Sequence, residues 1–414
     1  MVRLLLLTAL TILGSSGVAG AAAIRVPHDH LTIAGALQAS SPGDTVVISC
    51  GTYAERNLFL KPGVLLRSET GDPNCVTIDA GGLGTVFVCR GLHAGTSMEG
   101  ITIIGGHADG VFLQRAGGAI HCEDSCISIA DCVFRDNTAE ASGGALYFLN
   151  SSPTISGSVF ASNQARQHGG AIELRDSSVV LANCSFVGNR ADWHGGALGY
   201  DGHSDLTISG CRFRNNSSDH SGGAILTTGG THFVLANTEF VRNTSAKGGA
   251  VTCFRCRDFD VRDCVFLRNA AQTGGAVSAE SAGFAAMGCT FSQNEATSAA
   301  PAVYGLDCGQ FAVYRCLLTS NTGPQTVLYE GQAEPSVSRC IFFENSGTDE
   351  AWFPSGPAPS GRPANLRLDP GLCDASASPV AVRADSPCLK TNNPWGIRVG
   401  AVAASCPGAA SLDE

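Results

Sequence analysis

This sequence is poor in charge, and poorest in positive charge. Only 15% of its 414 residues are Asp, Glu, Lys or Arg, and 26 basic against 36 acidic side chains leave a formal net charge of −10. A general nucleic-acid binder needs a broad basic footprint, so that class is excluded, whereas a local basic stripe is not. No second long apolar run follows the one at the N-terminus, which excludes a transmembrane helix in the mature chain. Apolar residues alternate two apart between glycine-rich joints, which argues against helical repeats.

The N-terminal run has the three-part pattern of a secretory signal. Arg3 supplies the positive charge, residues 4–13 are almost wholly apolar, and small residues 14–23 include Ala19-Gly20-Ala21 as a cleavage site. Residues 1–22 are therefore expected to be a signal peptide. The mature protein is placed outside the cell or on its surface, with the periplasm as a compatible location.

What the chain has in abundance is glycine, 51 residues of it, at fixed intervals. Gly-Gly-Ala begins at Gly117, Gly143, Gly169, Gly195, Gly222, Gly248 and Gly274, a spacing of 26 with one step of 27. Phe-x-x-Asn keeps step with it, from Phe134/Asn137 through Phe186/Asn189 to Phe291/Asn294, with weaker copies at Leu318/Asn321 and Phe342/Asn345. A fixed period of this kind marks a stacked array of supersecondary units. Within each period apolar columns stand two residues apart, as in Ile127/Ile129 and Val179/Leu181, which is strand spacing. Three residues before each Phe stand Asp131, Gly157, Asn183, Gly210, Asn237, Asp263 and Gly288, types that tolerate a left-handed turn. The expected fold is an all-β parallel β-helix, a solenoid of about 26 residues and three short strands per coil. Phe should stack on Phe, and each Asn should bond the backbone of its neighbours.

Residues 24–113 are assigned to a capping helix and irregular first coils, with strands at 45–48, 64–66, 76–78, 86–89, 101–104 and 111–113. The helix is expected near residues 29–39, capped by Asp29 or Thr32, with Leu31, Ala34 and Leu37 plugging the core. Residues 114–350 are the regular coils, 351–363 a Pro/Gly linker and 364–414 a C-terminal cap.

The alternating GGA[ILV] and FxxN motifs resemble those of the chlamydial polymorphic outer membrane proteins. The stretch LTIAGALQASSPGDTVVISCGTYAE resembles the opening coil of the pectate-lyase-like superfamily. That resemblance implies a right-handed parallel β-helix. It also implies either a surface protein or an enzyme acting on acidic polysaccharide. The C-terminal membrane barrel of the chlamydial proteins has no counterpart here: the residues after the linker hold no series of alternating strands.

Chemistry is sparser than architecture. The outward position of the Gly-Gly-Ala strand reads His121, Tyr147, Glu173, Gly199, Leu226, Thr252 and Ser278, a single carboxylate. The best acidic cluster is Glu173, Asp176, Asp201, His203 and Asp205 on two successive coils. It is a candidate for acid–base work or Ca²⁺, the ion being expected only if the chain is a lyase. No catalytic residue is assigned, and solvated turn residues are the plainer reading. His168, His194 and His220 should form a column beside Trp193; parallel imidazoles do not converge on a metal, so no metal site is assigned. Trp193 is a candidate sugar platform. Arg135, Arg212, Arg214, Arg242 and Arg268 form a stripe beside the Phe ladder that could read an acidic glycan.

Seven cysteines, Cys132, Cys184, Cys211, Cys264, Cys289, Cys316 and Cys340, precede the Phe register by two residues and should form a buried ladder, mostly of thiols. Disulfides are expected elsewhere: Cys373 with Cys388 or Cys406, Cys50 with Cys75 or Cys89, and Cys122 with Cys126. Together these features point to a monomeric, non-catalytic binding or adhesin-like protein contacting a polysaccharide or a cell-surface protein. A polysaccharide lyase or glycoside hydrolase, and a structural envelope or matrix protein, are the alternatives.

Overall fold

The computed structural model describes residues 21–110, 115–230, 232–353, 365–373 and 380–402. Most of the expected signal peptide, the strand at 111–113 and Cys406 lie outside the described residues.

Each regular coil gives one strand to each of three parallel sheets. Gly-Gly-Ala strands such as Ile172–Arg175 form a 12-stranded sheet, the strands after them, such as Val179–Ala182, a 13-stranded one, and the Phe strands, such as Ser185–Val187, a second of 12. A short fourth pairing, exemplified by Arg190–Ala191, adds a 5-stranded ribbon that the three-strand reading did not contain. Register repeats coil by coil: Phe160 faces Phe186, which faces Phe213. Inside, Phe134, Phe160, Phe186, Phe213, Phe240, Phe266 and Phe291 stack with centroids 4.5–5.0 Å apart. Such a ladder buries a large apolar area and adds ring–ring attraction.

The turns follow the residue types read from the sequence. Asp131, Gly157, Asn183, Gly210, Asn237, Asp263 and Gly288 all have φ between 48° and 66°. In Gly169-Gly170 the two glycines serve different needs. Gly169 sits at φ 60°, and a Cβ on Gly170 would overlap the backbone carbonyls of Gly196 and Arg190.

The Asn ladder is closed bond by bond. Asn216 Oδ1 accepts from Asn189 N and Asn189 Nδ2 at 3.0 Å, while Asn216 Nδ2 donates to Phe186 O and Asn243 Oδ1. The same pattern runs from Asn137 to Asn345. No buried amide in it is left unpaired, which is what makes a polar column tolerable in the core.

The seven ladder cysteines are buried free thiols. Each Sγ that donates does so to a nearby carbonyl, as Cys184 does to Ala182 O at 3.4 Å. Cys50 and Cys75 are bonded to each other, as are Cys253 and Cys256. The expected Cys122–Cys126 bond is not formed: Cys122 points into the core in register with Cys89, and Cys126 is exposed. Cys89 likewise keeps its thiol. Cys373 is disulfide-bonded while Cys388 is a free buried thiol, so these two are not partners.

The N-terminal helix is shorter than expected, Ile33–Ala39, with Thr32 as its cap accepting from Gly35 N. The Glu55 carboxylate accepts from Ile33 N and Ala34 N at 2.8 and 2.9 Å. Starting at Ile33 rotates the buried face to Ile33, Ala36 and Leu37, which corrects the expected Leu31 and Ala34; Leu31 is 85% exposed. The last coil strand, Thr348–Phe353, extends into the expected linker. The described part of the expected C-terminal cap lies along the side of the solenoid. Val382, Cys388, Val399 and Val402 cover Leu317 and Ile341 on the outer face of the Phe sheet.

Candidate functional site

The outer face of the Gly-Gly-Ala sheet is a trench. Its outward column is buried although it points away from the core: His121, Tyr147, Glu173, Leu226, Thr252 and Ser278 are all nearly inaccessible. The cause is the left-handed first glycine, which curls the preceding residues back over the strand. Thr252 Oγ1 donates to Lys247 O at 2.9 Å, and His121 Nδ1 lies 2.9 Å from Ala116 O. His168, His194, Ser221 and Lys247 thus make one rim. Arg175, Asp201, Thr228, Phe254 and Glu280, two positions further along the strands, make the other.

Between these rims the trench deepens into a cleft of about 290 Å³. Glu173 lies at its floor because the next coil carries Gly199 in the same register; a Cβ there would overlap Glu173 Oε2. Burial, reinforced by the nearby Asp201 carboxylate, raises the Glu173 pKa to about 8 against the opposing pull of Arg175. Arg175 Nε stands 3.6 Å from Glu173 Oε1, an ion-pair distance without a hydrogen bond. His168 and His194 stack with centroids 5.3 Å apart and planes 3° from parallel. Burial first, then its neighbour His194, lowers the His168 pKa to about 4; burial first, then His220, lowers that of His194. Around neutral pH the floor therefore offers a carboxylic acid, and the rim beside it two uncharged imidazoles. The rim adds a Lys247–Glu280 ion pair of 2.8 Å and Asp201, which accepts from Thr228 Oγ1 at 2.9 Å.

Glu173 Oε2, His168 Nδ1, His194 Nδ1 and Arg175 Nε are buried and make no hydrogen bond, and all four residues line this one cleft. They are half of the eight such atoms among the described residues. Buried polar atoms without partners cost roughly 1–3 kcal/mol each, so their clustering is a property of the cleft and not of the fold.

The cleft joins residues that the sequence suggested separately. Glu173 and Asp201 of the acidic cluster meet His168 and His194 of the His column. Asp176, His203 and Asp205 stand beyond the strand ends and do not line it. Trp193, 52% exposed, borders an adjoining shallow groove with His194, His220, Ser221 and Lys247. The sequence reading missed Lys247 and Glu280. Aligning coils by register would have found them, because Lys247 continues the His194 column and Glu280 the Asp201 column.

Four arginines of the stripe, Arg212, Arg214, Arg242 and Arg268, line a second groove of about 690 Å³ between the Phe sheet and the C-terminal segment. Arg135 is apart from it, paired with Asp136 at 2.8 Å. Among the described residues a metal-type cluster occurs at Cys50, Glu69 and Cys75, where the two cysteines are bonded to each other. No helix among them is long and apolar enough to cross a membrane.

No curated protein sequence matches the chain significantly. Solved structures similar at low identity include the following three. A periplasmic alginate epimerase, AlgG, is 9% identical over 78% of this chain and 76% of its own, with a TM-score of 0.42. PfbA, a surface adhesin of Streptococcus pneumoniae, is 12% identical over 78% and 88%, with a TM-score of 0.39. A family 28 exopolygalacturonase of Yersinia enterocolitica is 11% identical over 85% and 79%, with a TM-score of 0.33. The family model described as a right-handed beta helix region matches residues 89–218, 145–304 and 197–353. Those matches span the coils whose glycine turns, Phe stack and Asn ladder are set out above, and the chain belongs to the right-handed β-helix family.

Proposed function

We propose that this protein is a secreted or cell-surface β-helix that binds a glycan chain in the trench of the Gly-Gly-Ala sheet. The observation that carries the reading is the group of four buried, unpartnered polar atoms in one cleft. A neutral carboxylic acid and neutral imidazoles suit hydroxyl-bearing ligands, since each can donate or accept without a charge left uncompensated. Leu226 and Phe254 give the cleft an apolar wall, and exposed Trp193 in the adjoining groove offers a stacking surface. Binding to a glycan array, lost on Glu173→Ala, retained by Glu173→Gln, whose neutral amide still donates and accepts, and weakened on Trp193→Ala, is the expected result. Absence of binding to any glycan would overturn the proposal.

A second reading, polysaccharide hydrolysis, is favoured by one pairing. Protonated Glu173 has the Asp201 carboxylate on the same outward face of the adjacent strand, two residues beyond Gly199. An acid paired with a carboxylate is what glycoside cleavage requires. Reducing ends released from a polysaccharide panel, and abolished by Glu173→Gln, would select this reading over binding alone.

A further inference from the structure

The second groove faces away from the trench and has a different chemistry. Its lining includes Arg212, Arg214, Arg242, Arg268 and Arg398 against the carboxylates Glu239 and Asp263, five cations to two anions in a chain of net charge −10. Glu239 is shared between Arg214, at 2.9 Å, and Arg212, at 3.6 Å. Asp263 is taken by Arg398 at 2.8 Å. Among the described residues neither Arg242 nor Arg268 meets a carboxylate; Arg268 Nε donates to Gln293 Oε1 at 2.7 Å.

Arg242 and Arg268 occupy the same register on successive coils, both at φ 54°. The backbone at this turn suits glycine or asparagine, but the register holds Asp136, Ser162, Gly188 and Asn215 before the two arginines and Gln293, Ser320 and Glu344 after them. The turn does not select arginine, and of these nine coils only those of Arg242 and Arg268 place a cation there. The far wall is fixed in place: Ala401 N donates to Thr290 Oγ1 at 3.0 Å and Gly400 N to Arg315 O at 2.8 Å. Val241, Val265 and Leu267 provide an apolar floor.

We infer that this groove is a second binding site, for a linear glycan that carries an anionic group, sulfate or carboxylate, along its length. Guanidinium groups stacked on coils about 4.8 Å apart match a charge repeated on successive sugar rings. An extended peptide presents same-side carboxylates about 6.6 Å apart and fits the spacing less well. Arginine binds both anions in a bidentate fork, and the walled groove concentrates the field of the unpaired charges. The apolar floor suits the C–H faces of sugar rings.

The test uses the full mature chain with heparin, polygalacturonate, neutral dextran and poly-L-glutamate as probes, over a range of salt. At low salt the protein should bind heparin or polygalacturonate and not dextran; the preferred one identifies sulfate or carboxylate as the anion. Arg242→Asn combined with Arg268→Asn should weaken that binding at least tenfold and flatten its salt dependence. Asparagine suits the turn, so the thermal midpoint should hold. Failure to bind either glycan polyanion, unchanged affinity in the double variant, or tighter binding of poly-L-glutamate would each overturn the inference. Glu173→Ala should leave this binding intact, so failure of the trench reading would be seen separately.

Discussion

Glu173 and Gly199 occupy each other's space: the carboxyl of one fills the volume that any side chain at the other would need. They face each other in register on adjacent coils, so the floor of the cleft depends on a single missing Cβ. Gly199→Ala should push the carboxyl out of the floor while leaving the coil intact, because the group displaced is the end of a flexible side chain. The new Cβ would also stand 3.0 Å from Gly169 N, so a cost of about 1–3 kcal/mol is expected. In a Glu173→Ala background that cost should fall by about half or more, a coupling that a double-mutant cycle in urea measures. Strict additivity would mean that Glu173 does not occupy the site.

The buried carboxyl also makes stability depend on pH in a direction unusual for an acid. Its folded pKa, about 8, lies above the ordinary value of 4.5. Its contribution is therefore complete below about pH 4.5 and is lost as pH rises toward 8, because only the unfolded state gives up the proton across that window. His168 acts at the other end. Its pKa is lowered from 6.5 to about 4, so its contribution is present above pH 6.5 and lost as pH falls through 4. Glu173→Gln should remove the decline between pH 4.5 and 8 and leave the acid-side loss in place. Unfolding midpoints measured across that range check this. An unchanged slope in the variant would show that the carboxyl is ionised in the folded protein.

The coil was legible because each structural demand is repeated on every turn. Left-handed positions such as Asp131 and Asn183 show as Gly, Asn or Asp at one register, and inward columns show as apolar residues two apart. The cleft was not legible for the opposite reason. Glu173 is a single carboxylate in an outward column, and outward ordinarily means solvated. Its burial follows from the curl at each first glycine, a backbone effect that the residue types do not announce, and from the absent side chain at Gly199, which occurs once in that column. Similarly, nothing local in residues 380–402 indicates that they lie against Leu317 and Ile341, since that contact spans the chain.

The Asn ladder should be the most costly polar feature to interrupt. Asn216→Ala takes the acceptor from Asn189 N, one of two acceptors from Asn189 Nδ2, which keeps Phe160 O, and the Nδ2 donor from Phe186 O, all in the core. One stranded N–H at roughly 1–3 kcal/mol, with two further lost bonds at about 0.5–1.5 kcal/mol each, gives an expected loss of about 2–6 kcal/mol. Asn345→Ala, at the partly exposed end of the same ladder, should cost less, because water can replace the bonds to Asn321 N and Leu318 O. Denaturant unfolding of the two variants compares the costs directly, and equal losses would argue against the ladder as the source.

Twelve free thiols among the described cysteines predict a sharp contrast between native and denatured protein. Only Cys126 is exposed; the other eleven are buried. Burial pushes the Cys132 thiol up to about 12, which deprives any reagent of the thiolate it attacks. Titration with a thiol-specific chromophore should therefore find about one fast-reacting group in the native state. Unfolding without reductant should release the ladder from Cys132 to Cys340 together with Cys89, Cys122, Cys308 and Cys388. If unfolding released no further thiols, the column would be oxidised. If several reacted before unfolding, the core between the three sheets would be open to solvent.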